Sequence, residues 1–543
     1  MLSRPQLRQS ALAALFMVVL SYNACSPFSA LNNSLSSSSL SLQDTSTKAC
    51  SVTHPGASVL RRLSRLEYKY SVQDIFGITS DPTTGFPIDQ TGTDNFATTM
   101  SPERMQAFVD AAESTVGAAF TAKSPLLTCA NKQAPETCPD EILLKIASKA
   151  WRRPVSAGEI ADLKGVIVSA RASIDAIAGY TGNKALDALS VAVQAIFVSP
   201  RFLFIVNPVS SSGSLDQYAF ISRLSYFLWS SIPDDELLNL ASAGKFSDRP
   251  TLVSQVKRML ADKRSSRFAQ TFADRWLTLW NLSNGNSTDD FHQSLITETE
   301  MFFESIMRSD LSVSQLMEAE YTFVNATLAS NYGIAGVSGA SFQKVLTSAN
   351  GRKGLLSQGS LLVMNSDTLH SKPTARGHFI LSNITCTPPP PFPDGVGITT
   401  LRGDDPNMTI RTKLAAHRQG ACAGCHVQMD SIGLGLEKFD QFGKWRDNYV
   451  VPVAPVDASG DLYGTHFVDH RDLATVIVDN KDFGKCVSRK MLSYAAGRSV
   501  ASVSDDRCMY EEIAHVSTDR NSEFSDLILA IVTSDAFLRN ESN

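Results

Sequence analysis

The sequence predicts a mainly α protein, built as several helical domains with few short strands. Apolar residues recur at helical spacing in one segment after another. Ser and Pro stand at the starts of several of those segments, where a helix has backbone N–H groups to satisfy. No long stretch alternates apolar with polar residues, and no nucleotide-binding glycine fingerprint is present.

The elements follow in order. Residues 101–120 open with Ser101, Pro102 and Glu103, and place Met105, Phe108, Val109, Ala112 and Val116 at helical intervals. Residues 139–151 and 156–174 read as a helical pair joined at Arg153-Pro154. Residues 185–196 form another helix that stops near Ser199-Pro200. Residues 215–229 carry Tyr218, Ile221, Leu224, Tyr226 and Leu228 on one broad face, and 251–261 and 268–280 continue the pattern. Asp234, Asp235 and Glu236 follow Pro233, where acidic side chains complement a helix N-terminus. Calcium or catalytic-carboxylate use of these acids is the competing reading, without the ligand spacing of an EF-hand.

The chain has 543 residues, 43% of them hydrophobic and 19% charged, which supplies packed cores and argues against wholesale disorder or a fibrous rod. That length corresponds to roughly three to four domains. Lys and Arg total 49 against 54 Asp and Glu, so a net charge of −5 offers no attraction for nucleic acid. Beyond the N-terminus no apolar run approaches the ~20 residues of a membrane-spanning helix.

At the N-terminus, Arg4 and Arg8 precede the apolar run Ala11 to Leu20, which is the pattern of an export signal. Ala24-Cys25 then suits lipoprotein processing, with Cys25 as the lipidated residue, although Tyr22 and Asn23 fit that signal poorly. An ordinary cleaved signal or a retained anchor would also fit the run. Residues 26–48 are Ser-rich and read as a flexible tether. The expectation is an exported chain, periplasmic or on the outer surface, touching membrane only through an N-terminal lipid.

An exported chain folds where disulfides persist. Of nine cysteines, Cys25 and the Cys422/Cys425 pair have separate uses in this reading, leaving six. Cys129 and Cys138 flank a short Pro-containing connection and are expected to pair. Cys486–Cys508 and Cys50–Cys386 are the remaining expectations, in competition with buried free thiols.

Residues 386–393 read Cys-Thr-Pro-Pro-Pro-Pro-Phe-Pro. Consecutive prolines lack N–H donors and fix φ, so the run is an extended rod between a larger N-terminal region and a C-terminal module.

The chemistry is stated by Cys422-Ala423-Gly424-Cys425-His426. C-x-x-C-H is the attachment signature of a c-type haem. Two thiols on one helical turn can each add to a haem vinyl group, and the adjacent imidazole then reaches the iron from the same turn. Ala423 and Gly424 let the porphyrin edge lie close to the backbone. Cys422 and Cys425 are thus the thioether anchors, His426 is the proximal iron ligand, and one covalent haem c is the expected cofactor. A zinc site would need two more ligands; His417 is near, but no second C-x-x-C exists. A thioredoxin-type dithiol and a plain disulfide compete with the haem reading as well.

The run from Cys422 to Arg446 resembles the planctomycete-type surface cytochrome family, whose domains are largely unassigned. Arg61 to Tyr68 with Asp74 to Gly77 is similar to its N-terminal domain, and Ala150 to Val155 to the next helical one. Ser199 to Phe204, Leu224 to Trp229 and Ile232 to Leu237 resemble its large central domain; Cys486 to Arg498 resembles its closing domain. The resemblance spans most of the chain from about Cys50. It implies a cell-envelope c-type cytochrome with attendant helical domains and no assigned reaction. The division expected is a signal (1–25), a tether (26–49), helical domains (50–125, 126–200 and 201–345), a linker with the haem segment (346–450) and a C-terminal helical domain (451–543).

Individual roles follow. Met491 is the leading distal-ligand candidate, with core packing as its competing role; Met429 lies too close to His426 to reach the far face of the ring. Met364, Met408, His370, His417 or an open position compete with Met491. Arg376, Lys444 and Arg446 are candidates for the haem propionates, and Trp445 for shielding the haem edge. His466 and His470 stand four apart as a weak metal-pair candidate. Three functions remain open: electron transfer with an unidentified envelope redox partner, a haem-dependent oxidoreductase with a pocket in the helical domains, and a surface binding protein with a structural haem.

Overall fold

The computed structural model describes residues 60–87, 89, 99–129, 134–205, 214–283, 289–390, 408–415, 423–500 and 506–539. The expected export signal, the expected lipidation residue Cys25, the expected tether, Cys50, His417, Cys422 and the proline run beyond Pro390 lie outside these residues, as does the side chain of Cys508.

The described chain is mainly helical, with four two-stranded antiparallel ladders. Local sequence explains the helix starts. Ser64 and Glu67 form a capping box on Arg65–Phe76, and Gly77 closes that helix at φ 67°. Ser101 accepts from the Arg104 N–H at the start of Pro102–Thr121. Ser156 and Glu159 repeat the capping box on Ala157–Asp175. Asn183 caps Lys184–Val198, which stops where Ser199 turns extended and Pro200 opens the next turn. The expected 268–280 helix is two: Ser265–Leu277 ends at Thr278, whose φ of 55° breaks it, and Trp280–Ser283 follows. Asp234 caps Asp235–Ser242 and meets Arg258 at 2.8 Å and Arg264 at 3.1 Å, so these acids start a helix.

Two large cores result. The first gathers Leu63, Tyr68, Phe108, Ile142, Ile146, Ala192, Phe197 and Phe202. Its ends are joined by the ladder of Arg61–Arg62 with Phe204–Ile205. The second runs from Phe220 to Phe537 and includes Trp229, Phe268, Phe272, Trp276, Phe303, Ile380, Ile432 and Leu527. Each fully buried large apolar side chain stabilises the fold by about 1.5–3 kcal/mol. Polar contacts lock the two cores together: Asp74 receives both terminal nitrogens of Arg267, at 2.6 and 2.8 Å, and the Ser231 hydroxyl at 2.7 Å.

Cys129 and Cys138 are bonded, the pairing their spacing suggests. The remaining expected pairings are corrected: Cys386 is bonded to Cys486, not to Cys50, and Cys486 is therefore not bonded to Cys508. The reason is tertiary. Cys386 follows the π-helical turn Ile380–Ile384, the Asp482–Ala496 helix packs on that turn, and the two Cα atoms stand 5.2 Å apart.

Candidate functional site

Helix Ala423–Leu434 carries Cys425 and His426 in its first turn. Its buried side holds Met429, Asp430, Ile432 and Gly433. That side packs on helix Pro373–Phe379 at very short range. A methyl group added at Gly433 would overlap the Pro373 carbonyl, and one added at Gly377 would overlap the Met429 carbonyl. The glycines are therefore what permits the two backbones to touch. On the opposite side, among the described residues, Gly424 is exposed with no atom within 4 Å of an added Cβ, and Val427 is half exposed.

Cys425 is outside any disulfide, and its sulfur lies 4.0 Å from the Pro390 carbonyl oxygen, at the described end of the proline run. His426 is partly exposed, and its Nδ1 lies 3.3 Å from each Asp430 carboxylate oxygen, one helical turn on. Asp430 is fully buried and also accepts the Thr374 hydroxyl at 2.7 Å from the facing helix. A buried carboxylate inside a helix is costly without partners, and His426 and Thr374 are two of those Asp430 has. With Nδ1 turned to a carboxylate, Nε2 is the ring nitrogen that would bind a metal.

The remaining expected cofactor residues cluster elsewhere, around Glu437. This acid is fully buried, 2.7 Å from Arg446 and 3.7 Å from Arg376, and it accepts from Ser371 and Tyr449. Arg376, itself 1% exposed, donates to the carbonyls of Leu436, Phe439 and Asp440 at 2.7–3.0 Å. Burial pushes its guanidinium down to about 10, against the pull of Glu437. Arg352 is also buried and donates to the Gly443 carbonyl. These arginines hold the main chain that follows the motif helix. Trp445 packs edge-on against Phe439 at 5.3 Å and hydrogen-bonds Asp447.

Met491 is fully buried on the Asp482–Ala496 helix. That helix packs on Asp506–Ser517 and also on Gln217–Trp229, His470–Asp479, Asp535–Leu538 and the turn Ile380–Ile384, and the motif helix packs on Pro373–Phe379 and on strand Gly460–Leu462. Met491 is thus a core side chain in this arrangement. His466 lies on strand Thr465–Phe467 and meets Asp461, while His470 starts the next helix, buried against Phe439 and Trp445. Burial pushes His470 down to about 3, so it is neutral, and the two histidines do not share a helical face. Asp430 and Thr374 carried no assigned role in the sequence, although the four-residue spacing of His426 and Asp430 on a helix was there to see.

Five family models match the chain, each described as a protein of unknown function: DUF1587 over residues 61–121, DUF1595 over 138–207, DUF1592 over 215–334, DUF1588 over 352–449 and DUF1585 over 463–537. The chain is therefore a member of a multi-domain family of unassigned domains, and the motif helix lies in the fourth of them. No curated protein and no solved structure matches it. Among the described residues no helix is long and apolar enough to cross a membrane.

Proposed function

We propose that this protein is an exported c-type cytochrome that carries one covalent haem on Cys422, Cys425 and His426 and transfers electrons in the cell envelope. The observation that carries the reading is the first turn of the motif helix. Cys129, Cys138, Cys386 and Cys486 are all in disulfides, whereas Cys425 keeps its thiol beside a histidine whose Nδ1 is turned to a carboxylate. That donor set fits covalent haem attachment, and Gly424 and Val427 beside it are exposed among the described residues. A haem bound there supplies a one-electron iron couple. The chain's own part is to anchor the ring through two thioethers, present Nε2 of His426, and hold the motif helix rigidly on Pro373–Phe379.

Electron transfer is preferred to substrate oxidation because one C-x-x-C-H motif is the chemistry the sequence states plainly, and the sequence carries no second one. The two disulfides support an oxidising compartment, as the proposed export and Cys25 lipid anchor require.

The test is the visible spectrum of the full chain produced with haem-attachment machinery, as purified, after dithionite, and after carbon monoxide. The expected result is a Soret band that survives denaturation, sharp reduced bands and no carbon monoxide shift. A carbon monoxide shift would favour the oxidoreductase reading. Absence of any Soret band would sink the cytochrome assignment.

A further inference from the structure

Asp430 is hard to explain as packing. It is fully buried in the middle of Ala423–Leu434, where Asp is a poor helix former and a desolvated carboxylate is costly. Its oxygens lie 3.3 Å from Nδ1 of His426, and one of them lies 2.7 Å from the Thr374 hydroxyl. Thr374 is placed by the close contact of the two helices at Gly377 and Gly433. Three side chains from two helices thus form one chain of contacts, Thr374 to Asp430 to His426, that ends at the candidate metal ligand.

We infer that Asp430 is a positioning residue that sets the reduction potential of the site through His426, and that Thr374 tunes it in the opposite direction. This rests on the haem reading given above. A carboxylate accepting from Nδ1–H draws that proton toward itself and makes Nε2 a stronger donor. A stronger donor stabilises ferric over ferrous iron, so Asp430 holds the potential low. The Thr374 hydroxyl donates to the same carboxylate and takes up part of its acceptor strength, so Thr374 weakens the pull on His426. The two side chains therefore have opposite signs. A purely structural bridge between helices would give both substitutions the same sign or no effect.

The experiment is a spectroelectrochemical titration of the full-length holoprotein, comparing wild type with Asp430→Asn and Thr374→Val. The Soret band of the wild type is recorded first. Asp430→Asn should raise the reduced-to-oxidised ratio at a fixed applied potential about tenfold, which for a one-electron couple is about 59 mV. Thr374→Val should lower that ratio by a smaller factor. If Asp430→Asn fails to fold or to take up haem, the sign of the Thr374→Val shift decides alone. A wild type that binds haem while Asp430→Asn leaves the ratio within about twofold, or while both variants move together, overturns the inference and leaves the cytochrome reading standing. A wild type without a Soret band overturns both.

Discussion

Gly377 lies so close under the Met429 carbonyl that a methyl group at Gly377 would overlap it. The contact sets how near the motif helix sits to Pro373–Phe379, and so where Thr374 meets Asp430. Gly377→Ala must push the helices apart, and overpacking of this kind costs about 1–3 kcal/mol or more. Gly165 is the contrast: it is exposed inside Ala157–Asp175, with nothing within 4 Å of an added Cβ. Gly165→Ala should stabilise by about 0.5–1 kcal/mol, because only the helix propensity changes. Thermal unfolding of the two variants checks both signs, and equal effects would refute the close-contact argument.

Glu437 is the buried centre of a polar cluster in the motif domain. It is fully buried between Arg376 and Arg446. Glu437→Ala leaves Arg376 buried without its opposing charge, and breaking such a pair costs about 3–5 kcal/mol. The prediction is a large fall in denaturant midpoint. Arg376→Ala should be similarly destabilising, because the carbonyls of Leu436, Phe439 and Asp440 lose their buried donor. Urea titration of both variants measures this; a near-wild-type midpoint for either would mean that the buried cluster does not hold the fold.

How much of this was legible beforehand divides along physical lines. Helix starts at Ser101, Ser156 and Asp234 were readable because capping is local: the residue that satisfies the N–H groups lies within three positions of them. The C-x-x-C-H motif was readable because its five residues are contiguous in sequence. The Cys386–Cys486 bond was not, since 100 residues separate its ends and only the packing of the π-helical turn brings them together. The pairing of Arg376 with the carbonyls after the motif helix was hidden for the same reason. An arginine in sequence looks like a surface charge, and its burial at 1% exposure is a property of the fold.

Two acids make stability depend on pH in an unusual direction. Burial raises Asp274 to about 6, and burial with the like charges of Asp274 and Glu304 raises Glu300 to about 8. In the unfolded chain the same groups titrate near 3.8 and 4.5. Between those limits the folded state holds more protons than the unfolded one, so stability must fall as pH rises. The contribution is complete below the unfolded values and is lost progressively as pH climbs through 6 and then 8. Glu300→Gln removes the later part of that loss. Its denaturant midpoint should therefore fall less than that of wild type between about pH 6 and 8, and an unchanged slope in that window would show that Glu300 is ionised in the fold.

The Cys386–Cys486 bond makes the most direct prediction about topology. It closes a loop of 100 residues that contains the proline run and the whole C-x-x-C-H helix. Peptide mapping without reduction should recover Cys386 linked to Cys486, and Cys129 linked to Cys138. In the chain-entropy picture, opening so long a loop costs about 2–5 kcal/mol, less whatever order the loop keeps when unfolded. The double variant Cys386→Ser, Cys486→Ser should lose stability by that amount. Because the bond pins the Asp482–Ala496 helix to the π-helical turn that continues Pro373–Phe379, loosening it should also reach the motif helix. Hydrogen exchange at residues 423–434 should then rise in the variant well before global unfolding. Recovery of Cys486 linked to Cys508 instead would refute the topology.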